Sequence, residues 1–136
     1  MSLRQIIYIS SASKSFKESD LKDILETSVR NNEKFDVSGL LLYNDLTFLQ
    51  VLEGGSVALD TLLQKIRNDN RNTNLIILMD REVNERDFPF WFMSLKKVSN
   101  TELLEHSNVM SLEYFFDIHE GDSKAFGLLK CFYKLI

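Results

Sequence analysis

Several hydrogen-bonding side chains fall where the apolar pattern of this sequence calls for core. Side chains alternate across a strand, so Tyr8 shares a face with Ile6 and Ser10, and Gln50 shares one with Phe48 and Leu52. At helical spacing, Ser28 and Asn32 continue the stripe begun by Leu21 and Leu25, and Asn31 sits on its flank, seven residues after Ile24. Asp69 continues a second stripe of Leu59, Leu62 and Ile66. A buried polar group without a partner costs roughly 1–3 kcal/mol, so this set must be satisfied by something. A planar heteroaromatic ligand between two helices would offer its faces to the aliphatic side chains and its N–H and C=O edge to the amides, and a flavin ring fits that description. Each residue also has a local reading. Tyr8 and Gln50 can bond each other or the backbone, Asn31-Asn32 suits a helix C-cap, Asp69 can end its helix, Lys65 can be a solvated face residue, and Trp91 with Met93 can be plain core.

The elements that must position these groups follow from periodicity. Residues 4–11 are β-rich, and Glu18–Asn32 carries Leu21, Ile24, Leu25 and Val29 at helical spacing behind a Ser19/Asp20 start signal. Val37–Tyr43 and Thr47–Glu53 are β-like runs around an Asn44-Asp45 turn, with Gly54-Gly55 as the stop. Ser56 opens a second helix that ends at Asn68-Asp69-Asn70. Leu75–Met79 and, beyond Pro89, Trp91–Val98 read as further strands. The order βαββαββ is that of an α+β, ferredoxin-like sheet with two helices on one face. Residues 99–136 read as a C-terminal helical extension that covers the other face, so the chain divides into 1–98 and 99–136 within one compact unit. The apolar end Leu135-Ile136 suggests docking on the sheet or on a second subunit, hence a homo-oligomer.

Composition narrows the chemistry. A chain of 136 residues fits one domain, and no apolar run is long enough to span a bilayer. The N-terminus lacks signal-peptide character, which makes the cytoplasm the default compartment. Cys131 is the single cysteine, and His106 and His119 both lie in the tail, which disfavours thiolate clusters, metal sites and His-assisted hydrolysis. A net charge of -4 argues against nucleic acid as partner.

Over about residues 3–97 the sequence resembles the BLUF family. The resemblance rests on seven stretches in order: Ile6 to Ala12, Asp20 to Leu25, Ser28 to Asn32, Ser38 to Tyr43, Phe48 to Gly54, Ile66 to Asp69, and Arg86 to Met93. It implies a blue-light photoreceptor, not an enzyme, that binds FAD noncovalently, with FMN or riboflavin as possible substitutes. The cofactor-binding residues it implies are Tyr8, Ile24, Leu25, Ser28, Asn31, Asn32, Leu40, Phe48, Gln50, Lys65, Ile66, Asp69 and Arg71. The photoactive set it implies is Tyr8, Gln50, Trp91 and Met93. Excitation of the flavin would draw an electron and then a proton from Tyr8, and a rotated or tautomerised Gln50 amide would persist. Two departures stand out: Ser38 where threonine is frequent, and Asn72 after Arg71 where a histidine is frequent. Because residues after 98 are too few for a catalytic effector domain, output would go to a separate downstream signalling protein. The competing reading is a small flavin-binding redox protein or flavin carrier, against which stands the lack of a nicotinamide-binding glycine motif.

Overall fold

The computed structural model describes residues 3–14, 16–44, 46–89, 91–95 and Gly127. Its elements are β1 (Leu3–Ala12), α1 (Glu18–Phe35), β2 (Ser38–Asn44), β3 (Thr47–Gly55), α2 (Ser56–Asn68), β4 (Asn72–Val83) and β5 (Trp91–Leu95). The strands form one sheet in the order β4-β1-β3-β2-β5, antiparallel except for the parallel β2–β5 pair. The first four strands and two helices make the ferredoxin-like arrangement, and β5 extends it beside β2. The expectation for residues 99–136 lies outside the described residues, as do the last three residues of the fifth strand as read from sequence.

Boundaries differ from the periodicity reading for physical reasons. Helix α1 begins at Glu18, where the sequence reading starts it, with the Lys17 N–H donating to the Asp20 carboxylate at 3.0 Å. The helix then runs past Asn31-Asn32 for another turn, because Phe35 packs against the core. Asp36 takes the left-handed conformation that ends it, at φ 54°, and the Val37 N–H donates to the Asn32 carbonyl at 2.8 Å. Strand β4 is longer than Leu75–Met79 because it pairs with β1 from Leu3↔Val83 to Ala12↔Asn72. A register shift between Ile9 and Ser11 is absorbed opposite them by Asn74, at φ 54°, a conformation asparagine tolerates.

The two sheet faces are distinct. Ile6, Tyr8, Leu41, Tyr43, Phe48 and Leu52 face the helices and form the core with Leu21, Ile24, Leu59 and Leu62. On the opposite face Gln5, Ile7, Leu40, Leu42, Leu49, Val51 and Glu53 are also buried, none more than 1% exposed. Burial on both faces explains why β2 reads Leu40-Leu41-Leu42 without alternation.

The connection from β4 to β5 is pinned by polar groups. The buried Glu53 carboxylate accepts from Gln5 Nε2 at 2.7 Å, the Asp87 N–H at 2.9 Å and the Phe88 N–H at 2.6 Å. Burial pushes its carboxyl above the ordinary carboxylate range, against these donors, which pull it down. Arg86 reaches back to the Ser38 hydroxyl at 2.6 Å, the Glu53 carbonyl at 2.8 Å and the Asp36 carbonyl at 2.9 Å. Gly54 beside this clamp is tightly enclosed, since an added Cβ would stand 3.1 Å from Val37 Cγ2 and 3.2 Å from the Asp36 carbonyl oxygen. Glu53→Ala leaves the Phe88 and Asp87 amides without their acceptor and is expected to lower unfolding free energy by about 3 kcal/mol in a denaturant titration. Glu53→Gln, which keeps one acceptor oxygen, loses less. Gly54→Ala is expected to cost about 1–2 kcal/mol in the same measurement.

Candidate functional site

Between α1 and α2, over the central strands, lies a cleft of about 630 Å3 counted out to its open mouth. Helix α1 lines it with Ile24, Thr27, Ser28, Asn31 and Asn32, and α2 with Leu62, Lys65 and Ile66, each at the three- and four-residue spacing that makes one helical face. The sheet floor is Tyr8, Ser10, Leu41, Phe48 and Gln50, and the α2–β4 link adds Asp69, Arg71 and Asn72. Register builds the floor: Tyr8 pairs with Gln50, Ser10 with Phe48, and Leu41 with Gln50 from the other side.

At the floor the Tyr8 hydroxyl donates to Gln50 Oε1, both side chains being buried. Burial, and secondarily the negative charge of Asp69, raises the Tyr8 pKa above the ordinary phenol value, so the hydroxyl stays protonated. The Gln50 amide nitrogen makes no hydrogen bond among the described residues. Two buried polar atoms on the cleft wall, Asn32 Nδ2 and Ser10 Oγ, have no hydrogen-bond partner among the described residues. Arg71 is committed to Asp69 through three contacts of 2.5–3.0 Å. That guanidinium holds the Asp69 carboxyl below its ordinary range. Asn72 gives its amide to the Ile66 and Asp69 carbonyls at 3.1 and 3.2 Å, so it caps the end of α2.

Of the residues expected from sequence, the structure gathers Tyr8, Ile24, Ser28, Asn31, Asn32, Phe48, Gln50, Lys65, Ile66, Asp69 and Arg71 around this cleft. Leu40 is a correction. It pairs with Val51 on the opposite face, and Leu41 takes the place in the floor, because a one-residue step along a strand reverses the face. Asp69 follows α2 as its C-cap residue and does not continue the helix. The side chains of Leu25, Trp91 and Met93 lie outside the described set. The backbone of β5 sets Trp91 beside Gly39 and Met93 beside Leu41. The sequence reading named Ser10 and Leu62 only as face and stripe neighbours, placed Asn72 as a lost contact, and missed Thr27. Thr27 was legible from its position one turn after Ile24 and one turn before Asn31.

The wall chemistry fits a flavin. Aliphatic side chains from both helices can flank a flat ring, while Asn32 Nδ2 and Ser10 Oγ, unpaired among the described residues, are available to a ring edge that both donates and accepts.

The comparisons agree with this geometry. The BLUF family model, described as sensors of blue light using FAD, matches residues 3–94. Photoactivated adenylate cyclase subunit beta of Euglena longa is 36% identical over 87 residues, which cover 64% of this chain and 10% of that protein. The chain thus spans about a tenth of the length of such relatives. The dark-state structure of the BLUF protein BlrB matches with a TM-score of 0.65 and 29% identity, over 69% of this chain and 71% of that one. Klebsiella pneumoniae BlrP1, in a complex with manganese and cyclic diGMP, matches with a TM-score of 0.74 and 28% identity, over 96% of this chain and 32% of that one. With a family match across most of its length, a ferredoxin-like sheet shared with these structures and a cleft suited to a flavin, the chain belongs to the BLUF family, the sensors of blue light using FAD.

Proposed function

We propose that the chain is a blue-light photoreceptor in which the Tyr8–Gln50 pair reports excitation of a flavin held in the cleft, and that the report passes by protein–protein contact to a separate effector. The observation that carries this reading is the direct hydrogen bond from the Tyr8 hydroxyl to Gln50 Oε1 in the cleft floor. A bound flavin supplies absorption of blue light and a ring able to change redox state. FAD is the form in the family's description, and FMN or riboflavin carry the same ring. Asn32 and Ser10 would hold its polar edge, and Ile24, Leu62 and Ile66 would flank its faces.

Transfer of an electron from Tyr8 to a photoexcited flavin would make its hydroxyl strongly acidic, with Gln50 Oε1 in place to accept the proton, and return of electron and proton would restore the neutral phenol. The carboxamide of Gln50 then has a second arrangement of nearly equal volume, because rotation exchanges its oxygen with its NH2 group. In that arrangement the NH2 group faces the Tyr8 oxygen, and the hydroxyl turns from donor to acceptor. The cleft floor thus holds two hydrogen-bond patterns in one packing.

Two hydrogen bonds at ~1 kcal/mol each shift an equilibrium by about 30-fold, so a nearly balanced element has to carry the signal onward. The backbone register Tyr8, Gln50, Leu41, Met93 runs in one row from β1 to β5 and favours β5, with Trp91 and Met93, as that element. The Euglena relatives have their matching region inside a photoactivated cyclase. That precedent supports an effector as recipient.

The test is the absorption spectrum of the purified yellow chain before and during blue illumination, with a reversible shift of the flavin bands to longer wavelength as the expected result. Gln50→Leu is expected to keep the yellow colour and lose the shift, and Tyr8→Phe to block the normal photocycle. A normal shift in either variant removes the assigned role. Asn32→Ala is expected to weaken flavin binding about tenfold in a fluorescence titration, the effect of losing one hydrogen bond to the ring edge.

A further inference from the structure

The stretch Arg86-Asp87-Phe88 lines no part of the cleft. It meets a row of polar residues that crosses four strands: Arg81 of β4 pairs with Gln5 of β1, Gln5 with Glu53 of β3, and Glu53 with Ser38 of β2. Arg81 Nε donates to Gln5 Oε1 at 3.0 Å, which turns the Gln5 amide so that its nitrogen donates to Glu53 Oε2 at 2.7 Å and to Asp87 Oδ2 at 3.1 Å. Glu53 in turn spends both carboxylate oxygens on the backbone of one short segment, Oε2 on the Asp87 N–H and Oε1 on the Phe88 N–H. Phe88 is fully buried and stands three residues before Trp91, where β5 begins. Pro89 between them fixes one backbone torsion and leaves the link little slack.

Strand β5 has few other holds. It is a five-residue edge strand in parallel pairing with β2, the less stable kind of ladder. A buried carboxylate is a costly way to fasten such a strand, since an apolar side chain fills space without desolvating a charge. What the carboxylate adds is discreteness: its bonds are made or lost, and their loss leaves two amides without an acceptor. The backbone row Tyr8, Gln50, Leu41 ends at Met93, so displacement of Met93 along β5 pulls on the Phe88 bond. We infer that Glu53 is a positioning residue for the light response: through the Asp87 and Phe88 amides it latches β5 in its dark arrangement, and the signal leaves when those two bonds break. The inference rests on the photoreceptor reading and adds to it the contact that β5 must release.

The experiment is amide hydrogen exchange, resolved by NMR, on the full-length chain carrying FAD, in darkness and under continuous blue light. The thermal return of the flavin bands after illumination is followed on the same samples. The expected result is about tenfold faster exchange at Asp87 and Phe88 in the light, with the amides of β1 at their dark rates. Glu53→Gln keeps one acceptor oxygen, so it is expected to bind flavin as the wild type does and to keep the spectral shift. Its Asp87 and Phe88 amides are expected to exchange faster already in the dark, and its return to the dark spectrum to slow about threefold, the effect of a bond lost from the dark arrangement. Equal exchange at both amides in dark and light, with the wild-type shift present, overturns the latch and leaves the photoreceptor reading standing. Faster exchange across all strands alike also overturns it, because that pattern is general loosening, as does an unchanged return in Glu53→Gln. The wild-type exchange decides alone if the variant does not fold. Absence of any wild-type spectral shift overturns the photoreceptor reading and the latch with it.

Discussion

The register of β1 against β3 is the constraint from which the site follows. With Tyr8 opposite Gln50, a phenol and a carboxamide meet in the floor of the cleft, under a face that is otherwise Ile6, Leu41, Phe48 and Leu52. A slip of one residue in either strand would turn that strand's polar group to the other face, bringing Ile7 of β1 or Leu49 and Val51 of β3 beneath the helices. Polar contacts anchor one end of this pairing. Glu53, three residues beyond Gln50, binds Gln5 of β1, and Arg4 of β1 is fixed by Asp80 of β4 at 2.7 Å and Asp60 of α2 at 2.6 Å. The buried polar pair is therefore located by interactions that lie outside the cleft.

A small domain tolerates unpaired buried donors only where they do something that packing cannot. Asn32 Nδ2 and Ser10 Oγ are such donors, and both line the cleft. In the proposed function a ligand edge would accept from them and recover that cost, which would couple ligand binding to stability. The same economy governs Gln50, whose amide has one end bonded to Tyr8 and the other free of the described residues.

Much of this site was legible in the sequence, because its residues interrupt strong periodic patterns. Tyr8 and Gln50 stand at period-two positions among aliphatic and aromatic neighbours, and Asn32 and Ser28 stand at helical spacing from Leu21 and Leu25. The pattern was silent where periodicity itself vanishes. In Leu40-Leu41-Leu42 every residue is buried, so nothing in the residue types tells which leucine faces the helices. Long-range partners were equally hidden. Nothing in the residue pattern pairs Arg86 with Glu53, which meet only when the fold brings the residue 86–88 segment onto the end of β3. The end of α1 was misjudged because Asn31-Asn32 has the composition of a cap, while packing of Phe35 decided the actual boundary.

The central claim is that the side-chain amide of Gln50 changes its bonding when the bound chromophore absorbs. A light-minus-dark infrared difference spectrum, recorded on protein carrying isotope-labelled glutamine and compared with a Gln50→Leu sample, tests it at the level of the atoms concerned. The account predicts a label-sensitive amide band that is present in the wild type, absent from the variant, and lost on return to darkness. A wild-type difference spectrum that shows a light-induced change in the flavin bands and no glutamine contribution would contradict it.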